Sequence, residues 1–146
     1  VVSFHDDSDV TVSLFADGSA EPKYTVAVPG GEKSGGKYTA VYDIPSVAAG
    51  TYTMRVSKKN HVTREYMVTV GTESAVQNVK IHLLGDISGD GKISTSDVLK
   101  ANFHAKRVTL LTGYEFLCAD VNGDGNITTV DVNKINSHAK KVKFLW

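Results

Sequence analysis

The chain has 146 residues, 41% hydrophobic and 22% charged, with sixteen basic residues balanced by sixteen acidic ones. This composition is that of a folded protein, and its zero net charge gives no electrostatic case for nucleic acid or an anionic membrane as partner. No apolar run reaches the roughly 18 residues of a membrane span, and the single cysteine, Cys118, leaves no disulfide framework or thiolate cluster to build.

The opening stretch, "VVSFHDDSDVTV", has the character of a segment interior to a longer protein. From there to about residue 84 the chain is rich in Val, Thr and Tyr with period-two alternation, which predicts half-buried strands over 9–16, 24–29, 37–44, 51–57, 63–70 and 76–84. Breakers separate them: "ADG" at 16–18, "PGG" at 29–31, "SGG" at 34–36, "AAG" at 48–50 and "KKN" at 58–60. Short strands at this spacing predict an antiparallel sandwich over residues 1–84. The stretch "AAGTYTMRVSKKNHVTREYMVTV" resembles the closing hairpin of immunoglobulin-like or prealbumin-like accessory modules. Asp6, Asp7 and Asp9 crowd the start without the spacing of a catalytic pair, and His5, His61 and His82 form no site-like pattern.

After Leu84 the pattern changes. Residues 85–108 set over 119–142, an offset of 34, agree at 14 of 24 positions, so one structural unit is used twice. Each copy contains an acidic loop, "DISGDGKISTSD" at 86–97 and "DVNGDGNITTVD" at 120–131. Such loops bind cations through side-chain oxygens at the first, third, fifth and twelfth positions, glycine at the sixth and a carbonyl at the seventh. The first loop supplies Asp86, Ser88, Asp90, the carbonyl of Lys92, and Asp97; the second supplies Asp120, Asn122, Asp124, the carbonyl of Asn126, and Asp131. Hard oxygen donors select calcium over zinc or copper. Ser94 and Thr128 fall at the ninth position, where a water usually mediates, and Ile93 and Ile127 at the eighth are expected to join the loops through a short β-bridge. The alternative is an Asp/Gly-rich turn pair that binds nothing, which would leave three repelling carboxylates gathered in each loop. No helix is expected to enter the first loop, because "NVKIHLL" precedes it, and both methionines, Met54 and Met67, lie in the β half, so a Met-lined sensor groove is excluded.

Two loops of the form D-x-[NS]-G-D-G-x-I-x-[ST]-x-D, each followed by a helix, resemble the dockerin family over residues 85–146. The upstream β half resembles the X-module that accompanies many dockerins. The resemblance implies an all-β X-module followed by an all-α dockerin with two calcium-loop–helix repeats, and two bound calcium ions. It implies a non-catalytic adaptor that binds a cohesin of a scaffoldin or cell-surface anchoring protein in a cellulosome-like, polysaccharide-degrading assembly. It further implies a secreted chain held at the cell surface through the cohesin, and a monomer when unbound. The rival readings are a stand-alone calcium buffer and an enzyme; the β half offers no catalytic arrangement for the latter.

Helices are expected over about 95–107, 112–118 and the segment after Asp131. Apolar stripes at Val98, Ala101, Ala105, Val108 and at Val132, Ile135, Ala139, Val142 predict the inner faces, with Tyr114, Phe116 and Leu117 closing the core. The resemblance places partner contacts at Thr95, Ser96, Leu99, Phe103 and Arg107 in the first repeat. In the second it places them at Thr129, Val130 and Lys141, with Asn133 and Ser137 standing where the first has Leu99 and Phe103. That asymmetry predicts one preferred binding orientation led by the first helix, unless Leu99 and Phe103 pack within the protein. His104 and His138, matched near the helix C-termini, are expected to cap or to contact a partner. From residue 85 on, eight basic and seven acidic residues give +1, which two calcium ions would raise to +5, against −1 for residues 1–84.

Overall fold

A computed structural model describes residues 1–3 and 9–146; His5, Asp6 and Asp7 lie outside the described residues. The chain divides into two compact units, Val1–Ile81 and His82–Trp146.

The first unit is a β-sandwich. One sheet has the order β1-β5-β4, formed by β1 (Val2–Ser3), β4 (Glu32–Ser34) and β5 (Lys37–Thr39). The other has the order β3-β2-β6-β7, formed by β2 (Thr11–Ala16), β3 (Tyr24–Ala27), β6 (Gly50–Ser57) and β7 (Arg64–Val70). All the strand pairs are antiparallel. Alternation decides which side faces inward. Val12 and Leu14 of β2 and Tyr52, Met54 and Val56 of β6 are buried, and the register sets Leu14 opposite Met54 and Val12 opposite Val56. Val1, Val10, Val28, Ala40, Val79 and Ile81 complete one core, with Tyr24, Tyr66, Val68 and Val70 packed on it. The Tyr42 hydroxyl donates to the Gln77 carbonyl at 2.7 Å, and burial raises its pKa.

Two strand expectations are corrected, and one strand is added. Residues 76–84 form no strand; Lys80 makes an isolated parallel bridge with Val2, flanked by Val2 N–H to Val79 O at 2.7 Å and Ile81 N–H to Val2 O at 3.1 Å. Val79 and Ile81 are buried as their alternation requires. Alternation reports burial, and burial needs no ladder. The strand expected over 37–44 stops at Thr39, and Val41 beyond it is exposed. Its partner, Glu32–Ser34, was hidden among breakers: Gly35 and Gly36 turn the chain with φ of +57° and +79°, the geometry of a tight hairpin.

The second unit is not all-α, which overturns the fold class expected for the dockerin half. Its helices are short, α1 (Thr95–Ala105), α2 (Gly113–Ala119) and α3 (Thr129–Ala139), and the remainder is loop. The loops consume the backbone that helices would otherwise use, because their N–H groups point at carboxylates and their glycines adopt positive φ. Ile93 and Ile127 form no bridge. α1 and α3 pack on each other, with Ala101 and Ile135 fully buried. The stripes end early, since Val108 is 68% exposed and Val142 78% exposed. Leu117 is exposed too, and Cys118 takes the buried place on α2.

Both long helices end by the same device. Arg107 and Lys141 adopt left-handed φ of +57°, and the N–H groups of Val108 and Val142 reach back to the carbonyls of Phe103 and Ser137 at 2.8 and 2.9 Å. This is a Schellman closure with a basic residue where glycine is usual. It reverses the chain and turns both valines outward.

Two substitutions separate the weights of core and surface in the first unit. Met54→Ala should lower the denaturant stability of that unit by about 2–5 kcal/mol. Glu65→Gln, which removes an exposed ion pair to Arg55 of 2.6 Å, should change it by less than about 1 kcal/mol. Urea unfolding followed by tyrosine fluorescence measures both.

Candidate functional site

The acidic loops are built around their first and last residues. In the first loop, the Asp86 carboxylate accepts the N–H groups of Gly89, Asp90 and Gly91 at 2.8, 3.2 and 2.8 Å. In the second, Asp120 accepts those of Gly123, Asp124 and Gly125 at 2.9, 3.2 and 2.8 Å. One carboxylate thus winds three successive amides around its two oxygens. Gly91 and Gly125 sit at φ of +89° and +80°, which a side chain would resist.

The last residue of each loop is also the third residue of a helix. Ser94 and Thr128 are N-caps whose hydroxyls accept the N–H groups of Ser96 and Val130, each at 3.2 Å. Asp97 and Asp131 answer by accepting the cap residues' own N–H at 2.8 and 2.9 Å. These are complete capping boxes. The ninth loop position therefore has a structural task that the loop pattern did not reveal. The signal was present as S/T-x-x-D, with Asp in place of the usual Glu or Gln.

Asp86, Asp97 and Asp131 are buried. A buried carboxylate costs several kcal/mol unless its oxygens are satisfied. Every buried side-chain oxygen among the described residues has a hydrogen-bond partner except Asp131 Oδ1. An unsatisfied buried acceptor costs about 1–3 kcal/mol, and more when charged. No three His, Cys, Asp or Glu side chains among the described residues converge as a ready-made cage; the carboxylates turn toward amides instead. The donors nevertheless fit a hard divalent cation. They are all oxygens, they carry three carboxylates per loop, and one buried oxygen stands without a partner.

The expected contact residues lie along the long helices. Thr95, Ser96, Leu99 and Phe103 fall on one face of α1, where Leu99 is 48% and Phe103 43% exposed. Thr129, Val130 and Asn133 are exposed on α3, while Ser137 is half-buried and its hydroxyl donates to the Asn133 carbonyl at 2.8 Å. Arg107 and Lys141 are exposed at the closing turns. Lys100 bridges α1 to α2 through Glu115 at 2.7 Å.

His104 and His138 do not donate to helix carbonyls. Each ring accepts a backbone N–H seven residues on, Leu111 to His104 Nδ1 at 2.8 Å and Leu145 to His138 Nδ1 at 3.1 Å. Phe116 meets the first ring edge-on at 5.5 Å, and Phe144 and Trp146 flank the second at 5.2 and 4.9 Å. The histidines staple the segments that follow each closing turn. No sequence pattern marks this role, because the partner is a backbone group.

Residues 84–138 match the family model of the dockerin type I domain. Dockerin type I domains are calcium-binding, and cellulosome dockerin components are extracellular or cell-surface associated. Among curated proteins nothing matches the chain. Two similar solved structures are a C-terminal and an N-terminal interface mutant of a type II cohesin–X-dockerin complex from Acetivibrio cellulolyticus. They are 24% and 25% identical, with TM-scores of 0.38 and 0.35, and each alignment covers 90% of this chain and 81% of the other.

Burial lowers the pKa of His138 below its ordinary 6.5 by disfavouring the charged ring. The unfolded chain then binds the proton more readily. The neutral ring's contribution is complete above pH 6.5 and is lost as pH falls through the window beneath it. Protection of the Leu145 amide from hydrogen exchange, corrected for intrinsic rate, should drop below pH 6.5, and in His138→Phe it should be low at every pH.

Proposed function

We propose that this chain is a non-catalytic adaptor in which residues 85–146 act as a calcium-dependent dockerin that binds a cohesin, and residues 1–84 act as its X-module support. The cohesin belongs to a scaffoldin or a cell-surface anchoring protein, and the pair assembles or anchors a cellulosome-like, polysaccharide-degrading complex outside the cell. The observation that carries this reading is the duplicated loop–helix unit matched by the dockerin family, with Leu99 and Phe103 exposed four residues apart on α1.

Two calcium ions would be held by Asp86, Ser88, Asp90, the Lys92 carbonyl and Asp97, and by Asp120, Asn122, Asp124, the Asn126 carbonyl and Asp131. Each ion, when bound, supplies the positive charge that relieves repulsion among the three carboxylates of its loop. The residues of the chain do the rest. The capping boxes transmit the set of each loop to the direction of α1 and α3, and those helices carry the contact face. Because sites formed only in the folded chain couple ligand binding to folding, removing the ion loosens the face.

On that face the repeat is unequal. Leu99 and Phe103 offer apolar anchors, whereas Asn133 and Ser137 are polar and Ser137 is already engaged with its own helix. An apolar pair on a solvated helix is the usual composition of an interface centre. The binding mode is therefore a single one led by α1. Thr95, Ser96, Arg107, Thr129, Val130 and Lys141 surround it as a polar and basic rim. The basic excess of the loaded unit favours an acidic cohesin surface and speeds encounter.

Titration of the chain against a panel of cohesins by calorimetry, with and without chelator, tests the reading. Binding should require calcium, Leu99→Asp should cost at least about 2 kcal/mol, and Asn133→Asp should do little. Equal losses in the two variants would refute the single mode, and binding that survives exhaustive chelation would refute calcium dependence. A calcium buffer with no scaffold partner would bind the ion and none of the panel.

A further inference from the structure

The two loops are near-copies in sequence, yet they differ in structure at the oxygens that would face a cation. In the first loop both oxygens of Asp97 are engaged. The Ser88 N–H donates to Oδ1 at 2.8 Å and the Ser94 N–H to Oδ2 at 2.8 Å. Ser88 is the third loop residue, so the first of these bonds ties the mouth of the loop to its own last residue. In the second loop Asp131 keeps only the equivalent of the second bond, from the Thr128 N–H to Oδ2 at 2.9 Å, with the Thr128 hydroxyl on the same oxygen at 3.2 Å. Its Oδ1 is buried and has no partner.

The cover over the loops differs in the same sense. The imidazole of His82 lies against Gly89 so closely that a Cβ there would stand 2.4 Å from Cε1. Tyr114 holds that ring edge-on at 5.0 Å. Asp86, Ile87 and Gly89 are buried. At the matching place in the second loop Gly123 has open space around it, and Asn122 and Asp124 are exposed. A cleft of about 460 Å³, lined in part by Arg107, Leu110 and Phe116, borders the same loop at Gly125 and Asn126.

We infer that the two calcium sites are unequal and load in order, the second loop being the tighter, first-filled site and the first loop the secondary one. Asp131 Oδ1 can accept a cation without giving up a hydrogen bond, and doing so removes the only unsatisfied buried oxygen among the described residues. Asp97 Oδ1 already spends one of its acceptor sites on the Ser88 amide, which competes with a cation there. The donor types agree, since Asn122 offers an amide carbonyl, which accepts the Asp124 N–H at 3.2 Å, where Ser88 offers a hydroxyl that donates to Asp86 Oδ1 at 3.2 Å; an amide carbonyl is the more usual calcium ligand. This inference rests on the calcium-dependent reading above and adds to it an order and a controlling residue at each site.

The test uses the whole chain, stripped with chelator and titrated with calcium chloride while the amides of Gly91 and Gly125 are followed by NMR. The Gly125 signal should respond first, with an apparent affinity at least about tenfold higher than that at Gly91, the difference expected from one charge-assisted hydrogen bond. Asp131→Asn should abolish the tighter phase, and Asp97→Asn should leave it. The wild-type titration decides the order even if a variant fails to fold. Simultaneous filling, or Gly91 leading, overturns the inference while leaving calcium dependence intact. No response at either glycine overturns the calcium reading itself.

Discussion

Asp97 and Asp131 each close a loop and open a helix, and the geometry of the second unit depends on that double duty. A carboxylate at the third helical position accepts the cap residue's N–H, so the helix cannot change direction without disturbing the loop. Both carboxylates are buried, and burial makes the linkage stiff: an oxygen that loses its donor there has no water to replace it. The helix dipole favours a negative charge at the same place. Loop, cap and dipole thus converge on one side chain per repeat. The packing of α1 on α3 inherits its orientation from these two residues as much as from Ala101 and Ile135.

The two units are held by different physics. The first rests on alternating apolar strands around Val12, Met54 and Val56. The second has a small apolar interior and fixes its loops with hydrogen bonds to carboxylates. Its segments after α1 and α3 are pinned by His104 and His138, and its closing turns hold Arg107 and Lys141 in a left-handed conformation that costs roughly 1 kcal/mol or more for a residue with a side chain. A unit that concentrates charge and strain near its surface has less reserve of its own, and a bound cation would supply what apolar burial does not.

What the sequence made legible follows from how narrowly chemistry constrains each residue. The loops were readable as loops because their first aspartates draw successive amides back onto one carboxylate and their glycines take positive φ. The strand over 51–57 was readable because Tyr52, Met54 and Val56 alternate without interruption. The segment 76–84 alternates as well, yet burying Val79 and Ile81 required only one parallel bridge to Val2. The helix ends were hidden because glycine normally marks a Schellman closure and this chain has Arg107 and Lys141 there. Val108 and Val142 therefore looked like one more turn of each stripe. The all-α expectation failed for a related reason: helical periodicity was visible in the second unit, while the share of backbone that the loops divert to their own carboxylates was not.

The repeat also shows where duplication had to be broken. Two identical helices packed face to face would present the same side chain at the same depth, and one volume cannot hold two large residues. Ala101 on α1 and Ile135 on α3 hold equivalent places in the repeat and are both fully buried, so one copy carries a small residue where the other carries a large one. On the exposed side no such packing demand exists, yet Leu99 and Phe103 face Asn133 and Ser137 across the repeat. Burial does not account for Asn133, which is exposed as Leu99 is, although Ser137 is half-buried and bonds its own helix. The steric asymmetry inside is a demand of folding, and the chemical asymmetry outside is the feature on which the proposed single binding mode rests.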